Sequence, residues 1–298
     1  MTPEVGYNLE GVSPEETRAT LHRAVELGVT LFDTADVYGP FTNEKIVGEY
    51  LVGDGFRDKI KIATKVGYIL KDQHSYIKNG KPDYIREAID DSLSRLRTDY
   101  VDLYQLHRVD PEVPIEETFG AMAEQVAAGK VLKLGLSEVT VDDIKRAQTV
   151  HPVASVQSEL SIWTSENVDN GVLGYCNDNG ISFLAFSPLG RGFLTGTVKA
   201  DDIKSSDFRA GNPRFTAEAI AANQVIVDGI QAIAERHNAT AAQISLAWVL
   251  AQGDNVVPIP GTKRRKWLEQ NVQAVNVSLT EQDLADIAAL PKSVAPRY

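Results

Sequence analysis

Four residues in the first part of the chain have the types that proton transfer requires. Asp33 closes the apolar run Val29–Asp33, and Tyr38 follows it in "DTADVYG". Lys65 lies near the end of the run Ile60–Val66, and His107 ends Val101–His107. Each run reads as a strand, so the four groups fall at the C-terminal ends of three successive strands. Barrel and open-sheet enzymes carry their chemistry at such ends. A phenol is a poor acid near neutral pH, with a reference pKa of about 10. An ammonium beside a phenol favours the phenolate, a carboxylate keeps the ammonium in place, and an imidazole can donate to the same substrate oxygen. Such a set is a general acid beside an oxyanion-type pocket. It suits protonation of a carbonyl oxygen as hydride arrives on the carbon. Taken singly, Asp33 could be a turn former, Lys65 a surface residue and His107 a satisfied core group; their shared position carries the reading.

These positions require a scaffold of buried strands. Further apolar runs at Lys133–Ser137, Ala154–Glu159, Ile181–Ser187 and Val256–Pro260 are rich in Val, Ile, Leu and Phe and mostly do not alternate, as strands buried on both faces do. Amphipathic helices separate them. Ser13-Pro14-Glu15-Glu16 is a capping box with Pro at the first helical position, and Gly28 stops that helix. Asp83 is expected to cap a helix running to about Arg97, Gly129 to close the next, and Asn179-Gly180 to end another. Repeated strand–helix units with right-handed crossovers give a parallel sheet, and this spacing favours a (β/α)8 TIM barrel over an open sheet. No GxGxxG follows a first strand, and no linker breaks the chain, so 1–298 reads as one domain. The one long irregular stretch, Pro188 to Pro213, has the length of a functional loop.

Composition excludes several classes. The net charge of -11 argues against a nucleic-acid or anionic-membrane binder. A single Cys, Cys176, leaves no internal disulfide and fits a reducing compartment. No apolar run is long enough to span a bilayer, and the start does not read as a signal peptide. The expectation is a soluble, cytoplasmic protein, a monomer or weak homo-oligomer, whose partner is a small-molecule substrate. Against this acidic background "GTKRRK" (261–266) is the densest basic cluster, and it opens a helix after the last strand. The macrodipole disfavours cations there, so an anionic ligand such as a 2'-phosphate accounts for Gly261, Thr262, Lys263 and Arg264 better than a solvated helix start does. Trp163 and Arg191 are candidates for the substrate pocket, with plain packing as the alternative for Trp163.

The segments "FDTADVYG", "ATKVG", "DLYQLHRVDP", "GKVLKLGLSE", "FSPLGRGFLTG" and "PIPGTKRRKWLEQN" resemble the aldo-keto reductases, in the family order from about residue 11 onward. The likeness is nearest to the pyridoxal and perakine reductase-like aldehyde reductases. It implies a (β/α)8 barrel and metal-free, NADPH-dependent reduction of aldehydes and ketones, with a tetrad on Asp33, Tyr38, Lys65 and His107 and Tyr38 as proton donor. It also implies that Ser137 and Gln157 hold the nicotinamide carboxamide, and that Phe186 stacks on the ring where the family often has Tyr. By the same likeness Ser187, Leu189, Gly190 and Gly192 form the pyrophosphate loop, and Gln270 and Asn271 contact adenine. Aldo-keto barrels also serve as cofactor-binding regulatory subunits with little turnover, a second reading. A metal-dependent barrel hydrolase would need more than His107 and Glu159 as ligands, and no second His sits at a strand end. The family has a strand before the first helix, whereas "MTPEVGYNLEG" starts where its closing turn should finish. The expectation is a barrel without its first strand and N-terminal hairpin.

Overall fold

A computed structural model describes residues 12–71, 75–205 and 207–297. The expected loss of a first strand and hairpin falls on residues 1–11, outside the described residues.

Among the described residues, the main sheet has the strand order β1 (Leu31–Asp33), β2 (Lys61–Val66), β5 (Val101–Leu106), β6 (Val131–Ser137), β7 (Ser155–Glu159), β8 (Ser182–Phe186) and β9 (Val256–Pro258). The pairs β1–β2, β2–β5, β5–β6 and β6–β7 are parallel. All seven expected strands are present, shifted by one or two residues at their ends. β3 (Tyr68–Leu70) and β4 (Tyr76–Lys78) form a separate antiparallel pair that the sequence did not suggest. The chain divides into two compact units, one of Thr17–Ser158 with Gly171–Phe183, the other built from Glu159–Asn170 and 184–297 with the stretch up to Glu16.

In the first unit α1 (Pro14–Glu26) runs on from its Ser13 cap and ends before Gly28, whose φ of +84° suits glycine. α2 (Thr42–Val47) continues into a π-helical turn over Gly48–Val52. A Cβ on Gly48 would stand 2.4 Å from the Arg95 carbonyl oxygen, so glycine lets this turn close against the end of α3 (Pro82–Leu96). α3 buries Ile85, Ala88, Ile89, Ser92, Leu93 and Leu96, one face at helical spacing. Its cap corrects the sequence reading. Pro82 takes the first helical position, so Lys81 is the N-cap and Asp83 lies in the first turn, without a side-chain cap. α4 (Ile115–Ala127) ends before Gly129 at φ +77°. Thr140 and Asp143 form a capping box on α5 (Val141–Gln148).

The second unit has its own core. Trp163, Phe193, Leu194 and Phe215 pack with Ile220, Ile226, Val227, Ile230 and Ile233 of α8 (Ala217–Arg236) and Ile244 of α9 (Ala241–Leu250), the next long helix. The expected irregular stretch contains short turns at Gly190–Thr195 and Ala200–Asp202.

Candidate active site

β2 buries every residue from Ile62 to Val66, and Lys65 is fully buried among them. An ammonium in such a place must be paired and hydrogen-bonded. Lys65 Nζ lies 2.5 Å from Asp33 Oδ2 at the end of β1, donates to the Thr34 carbonyl at 2.8 Å, and reaches Tyr38 Oη at 3.3 Å. Burial pulls the Lys65 ammonium toward neutrality, but the opposing fields of Asp33 and then Tyr38 outweigh it, and its pKa is raised. Tyr38 itself is 37% exposed, so the buried ammonium touches a residue that solvent reaches.

His107, just past β5, presents its ring edge-on to Tyr38 with centroids 5.9 Å apart, and to Tyr68 at 5.0 Å. Its Nδ1 is buried with no hydrogen-bond partner. Burial, then Lys65 and Arg108, hold its pKa well below the usual histidine range. That direction favours the neutral imidazole.

Ser137 and Gln157 are partners in the β6–β7 register. Ser137 Oγ accepts from Arg108 at 3.0 Å, and Gln157 Nε2 donates to Asp33 Oδ1 at 2.8 Å. Three further residues belong to this setting and were not read from the sequence. Gln105 donates to the same Asp33 oxygen. Arg108 lies between the His107 carbonyl and Ser137. Asp36 is buried two residues before Tyr38 and accepts from the Val37 amide at 2.6 Å. The only sequence sign of Asp36 was a second acid in "DTAD".

In the second unit Phe186 ends β8, and its carbonyl accepts from Leu160. Ser187, Gly190, Arg191 and Gly192 all have positive φ, and within this turn the Gly190 and Gly192 amides donate to the Ser187 and Leu189 carbonyls at 2.9 and 3.0 Å. A Cβ on Gly190 would meet the Trp163 ring at 2.8 Å. The indole stacks on Phe193 with centroids 4.3 Å apart, and with Arg191 it lines a small cavity beside Glu159, Arg214, Phe215 and Arg297. Trp163 is thus packed into the core of this unit, the plainer of its two readings. Arg191 and Arg297 both approach Glu159, at 3.4 and 3.2 Å. Gly261, Thr262 and Lys263 precede α10 (Arg265–Val272), whose N-cap is Arg264. Burial lowers the pKa of the Lys263 ammonium. Arg265 is taken up by Glu16, Nη2 to Oε2 at 2.9 Å. On α10, Asn271 is buried and the Gln270 carbonyl accepts from Gln243. Among the described residues, no group of three His, Cys, Asp or Glu side chains is arranged to hold a metal ion. No helix among them is long and apolar enough to cross a membrane.

Known proteins resemble this chain over most of its length. A probable aldo-keto reductase of Glycine max is 44% identical over 281 residues, 94% of this chain and 80% of its own length. An NADP(+) aldo-keto reductase of Schizosaccharomyces pombe is 42% identical over 296 residues, 96% of this chain and 87% of its own. Among solved structures, a glycerol dehydrogenase from Gluconobacter oxydans superposes with a TM-score of 0.85 at 27% identity, covering 93% of this chain and 86% of that one. The model of the Aldo/keto reductase family matches residues 2–292, and the chain belongs to that family.

Proposed function

We propose that the protein reduces aldehydes or ketones to alcohols with NADPH, and that Tyr38 delivers the proton. The observation that carries this reading is the contrast between a fully buried Lys65 and a partly exposed Tyr38 joined at 3.3 Å. Substrate can reach the phenol but not the ammonium. Tyr38 gives its proton to the carbonyl oxygen, Lys65 stabilises the phenolate that remains, and Asp33 keeps Lys65 charged and in place. Neutral His107 donates an N–H to the same oxygen, which orients the carbonyl and supports its developing negative charge.

Several features of the chain fit a dinucleotide. Ser137 and Gln157 are register partners with amide-compatible groups, the backbone from Ser187 to Gly192 is rich in positive φ, and Lys263 is a half-buried cation. We assign Ser137 and Gln157 to the carboxamide, Phe186 to stacking on the nicotinamide, and Ser187, Leu189, Gly190 and Gly192 to the pyrophosphate. Gly261, Thr262, Lys263 and Arg264 take the 2'-phosphate, and Gln270 and Asn271 the adenine. Bound NADPH supplies the hydride. The preference for NADPH is in line with the cofactor named for the Schizosaccharomyces pombe relative. The motifs quoted above favour a likeness to the pyridoxal and perakine reductase-like enzymes, and we assign Trp163 and Arg191 to the substrate side. A panel of aldehydes and ketones, followed by loss of NADPH absorbance without added metal, tests the reading. Turnover is expected with the parent protein, and Tyr38→Phe should abolish it. No turnover with any carbonyl, together with tight NADPH binding, would point to a regulatory subunit instead.

A further inference from the structure

We infer that Gln105 is a positioning residue for carbonyl reduction, acting on Lys65 through Asp33. The inference rests on the proposed roles of Asp33, Lys65 and Tyr38. Gln105 is fully buried on β5, directly opposite Lys65 in the β2–β5 register, so it touches neither solvent nor substrate. Its Nε2 donates to Asp33 Oδ1 at 3.2 Å, and Gln157 Nε2 donates to the same oxygen at 2.8 Å. The other carboxylate oxygen, Oδ2, faces Lys65. Asp33 is therefore gripped at both oxygens: two neutral amides fix the side away from the ammonium and set the direction in which the charged side points.

The surrounding row holds Gln105 in that role. Ser155 Oγ donates to Gln105 Oε1 at 3.4 Å, and Gln157 Nε2 lies 3.5 Å from the same oxygen. That leaves the Gln105 amide nitrogen directed at Asp33. Gly135, opposite both Gln105 and Ser155 in register, provides the room. A Cβ there would stand 2.3 Å from Ser155 Oγ and 3.0 Å from Gln105 Cγ. A residue that merely filled the core would not need an amide aimed at the acid that pairs with the general acid's lysine. Gln157 is assigned to the cofactor, which leaves Gln105 as the amide partner of Asp33 outside the cofactor site.

The test is the pH profile of kcat for reduction by the full-length protein. Gln105→Leu keeps the size but removes the donor. Lys65, held less firmly, stabilises the phenolate less. The pH at which kcat falls on the alkaline side should rise by about one unit, with kcat near neutrality about tenfold lower. NADPH affinity, followed by fluorescence titration, should stay within about twofold of the parent value. Gln105→Glu keeps shape and, when protonated, can still donate to Asp33. Two carboxyl groups on one site share a proton, so this variant should work at acidic pH and lose kcat in a new step as that proton leaves. If Gln105→Leu does not fold, the Glu variant decides. A wild-type pH profile in either folded variant, or a loss of kcat by the same factor at every pH, would overturn the inference. Full turnover by Tyr38→Phe would overturn the reading of the site instead, so the two failures are distinct.

Discussion

The Asp36 carboxyl lies 3.5 Å from Tyr84 Oη, whose proton goes to the Tyr68 carbonyl at 2.8 Å. Asp36 is 2% exposed, and burial, then the nearby Glu44 carboxylate, raise its pKa to about 7. A protonated Asp36 can donate to Tyr84, which an ionised one cannot. The unfolded chain gives up this proton near pH 3.8 and the folded one near 7. Between these values the native state holds the extra proton, so stability falls as pH rises through the window, and the full cost is present above it. Asp36→Asn removes the titration but keeps an oxygen for the Val37 amide. Its melting temperature relative to the parent is expected to be higher at about pH 8 than at about pH 4. The ceiling is about 4 kcal/mol, from roughly three units at about 1.36 each. An equal difference at both pH values would refute this.

Tyr38→Phe should lower kcat for carbonyl reduction by about 10²- to 10⁴-fold, the usual worth of a general acid. NADPH binding should persist, because the phenol is assigned to the substrate. Lys65→Met should also cripple kcat, and it should destabilise the fold as well. It leaves Asp33, whose side chain is 11% exposed, without its cation, and breaking a buried pair costs about 3–5 kcal/mol. Single-turnover rates and denaturation curves on both variants separate the two effects.

The cofactor preference should lie in the cluster before α10. Charge-assisted contacts to phosphate are worth about 1.5–3 kcal/mol each, roughly tenfold or more per residue. Neutral residues at Lys263 and Arg264 together should weaken NADPH strongly and NADH little, as read by fluorescence titration. The Arg265–Glu16 pair is left alone, so stability should hardly move. Equal loss for both cofactors would sever the cluster from the 2'-phosphate.

Glu159 is buried with Arg191 and Arg297 turned toward it, and its hydroxyl contact from Thr164 is 3.2 Å. Burial raises its carboxyl pKa even against these arginines. Glu159→Ala leaves cations in a confined place without their anion, at an expected cost of about 3–5 kcal/mol. The midpoint in urea should drop accordingly. A variant as stable as the parent would mean that water reaches these arginines freely.

The polar groups at the strand ends were legible because their types clash with the apolar runs that precede them. Asp33, Lys65 and His107 have no packing reason to stand there, and the structure joins Asp33, Lys65 and Tyr38 by hydrogen bonds. Gln105 was not legible: within "VDLYQL" a neutral amide reads as one more strand residue, and only the register reveals what lies opposite it. Arg108 was hidden for a similar reason, since a cation after His107 looks like surface until its contact with Ser137 is seen. The strand ends drifted because pairing, not hydropathy, ends a ladder. The Val29 amide is used by the Ala24 carbonyl of the preceding helix, and β1 starts only at Leu31. The β3–β4 pair has no tight-turn signature such as Asn-Gly between its strands, so no hairpin was read there.

The Lys65 ammonium has three hydrogens, and three acceptors receive them: Asp33 Oδ2, the Thr34 carbonyl and Tyr38 Oη. None is left for water. Ammonium groups normally trade hydrogens with solvent as soon as they are free to rotate into it. Here rotation would break three bonds at once, in a group with no exposed surface. The Lys65 hydrogens should therefore exchange with deuterated solvent far more slowly than those of the surface lysines, and an isotope label on this nitrogen would keep a resolved proton signal where the other lysines lose theirs.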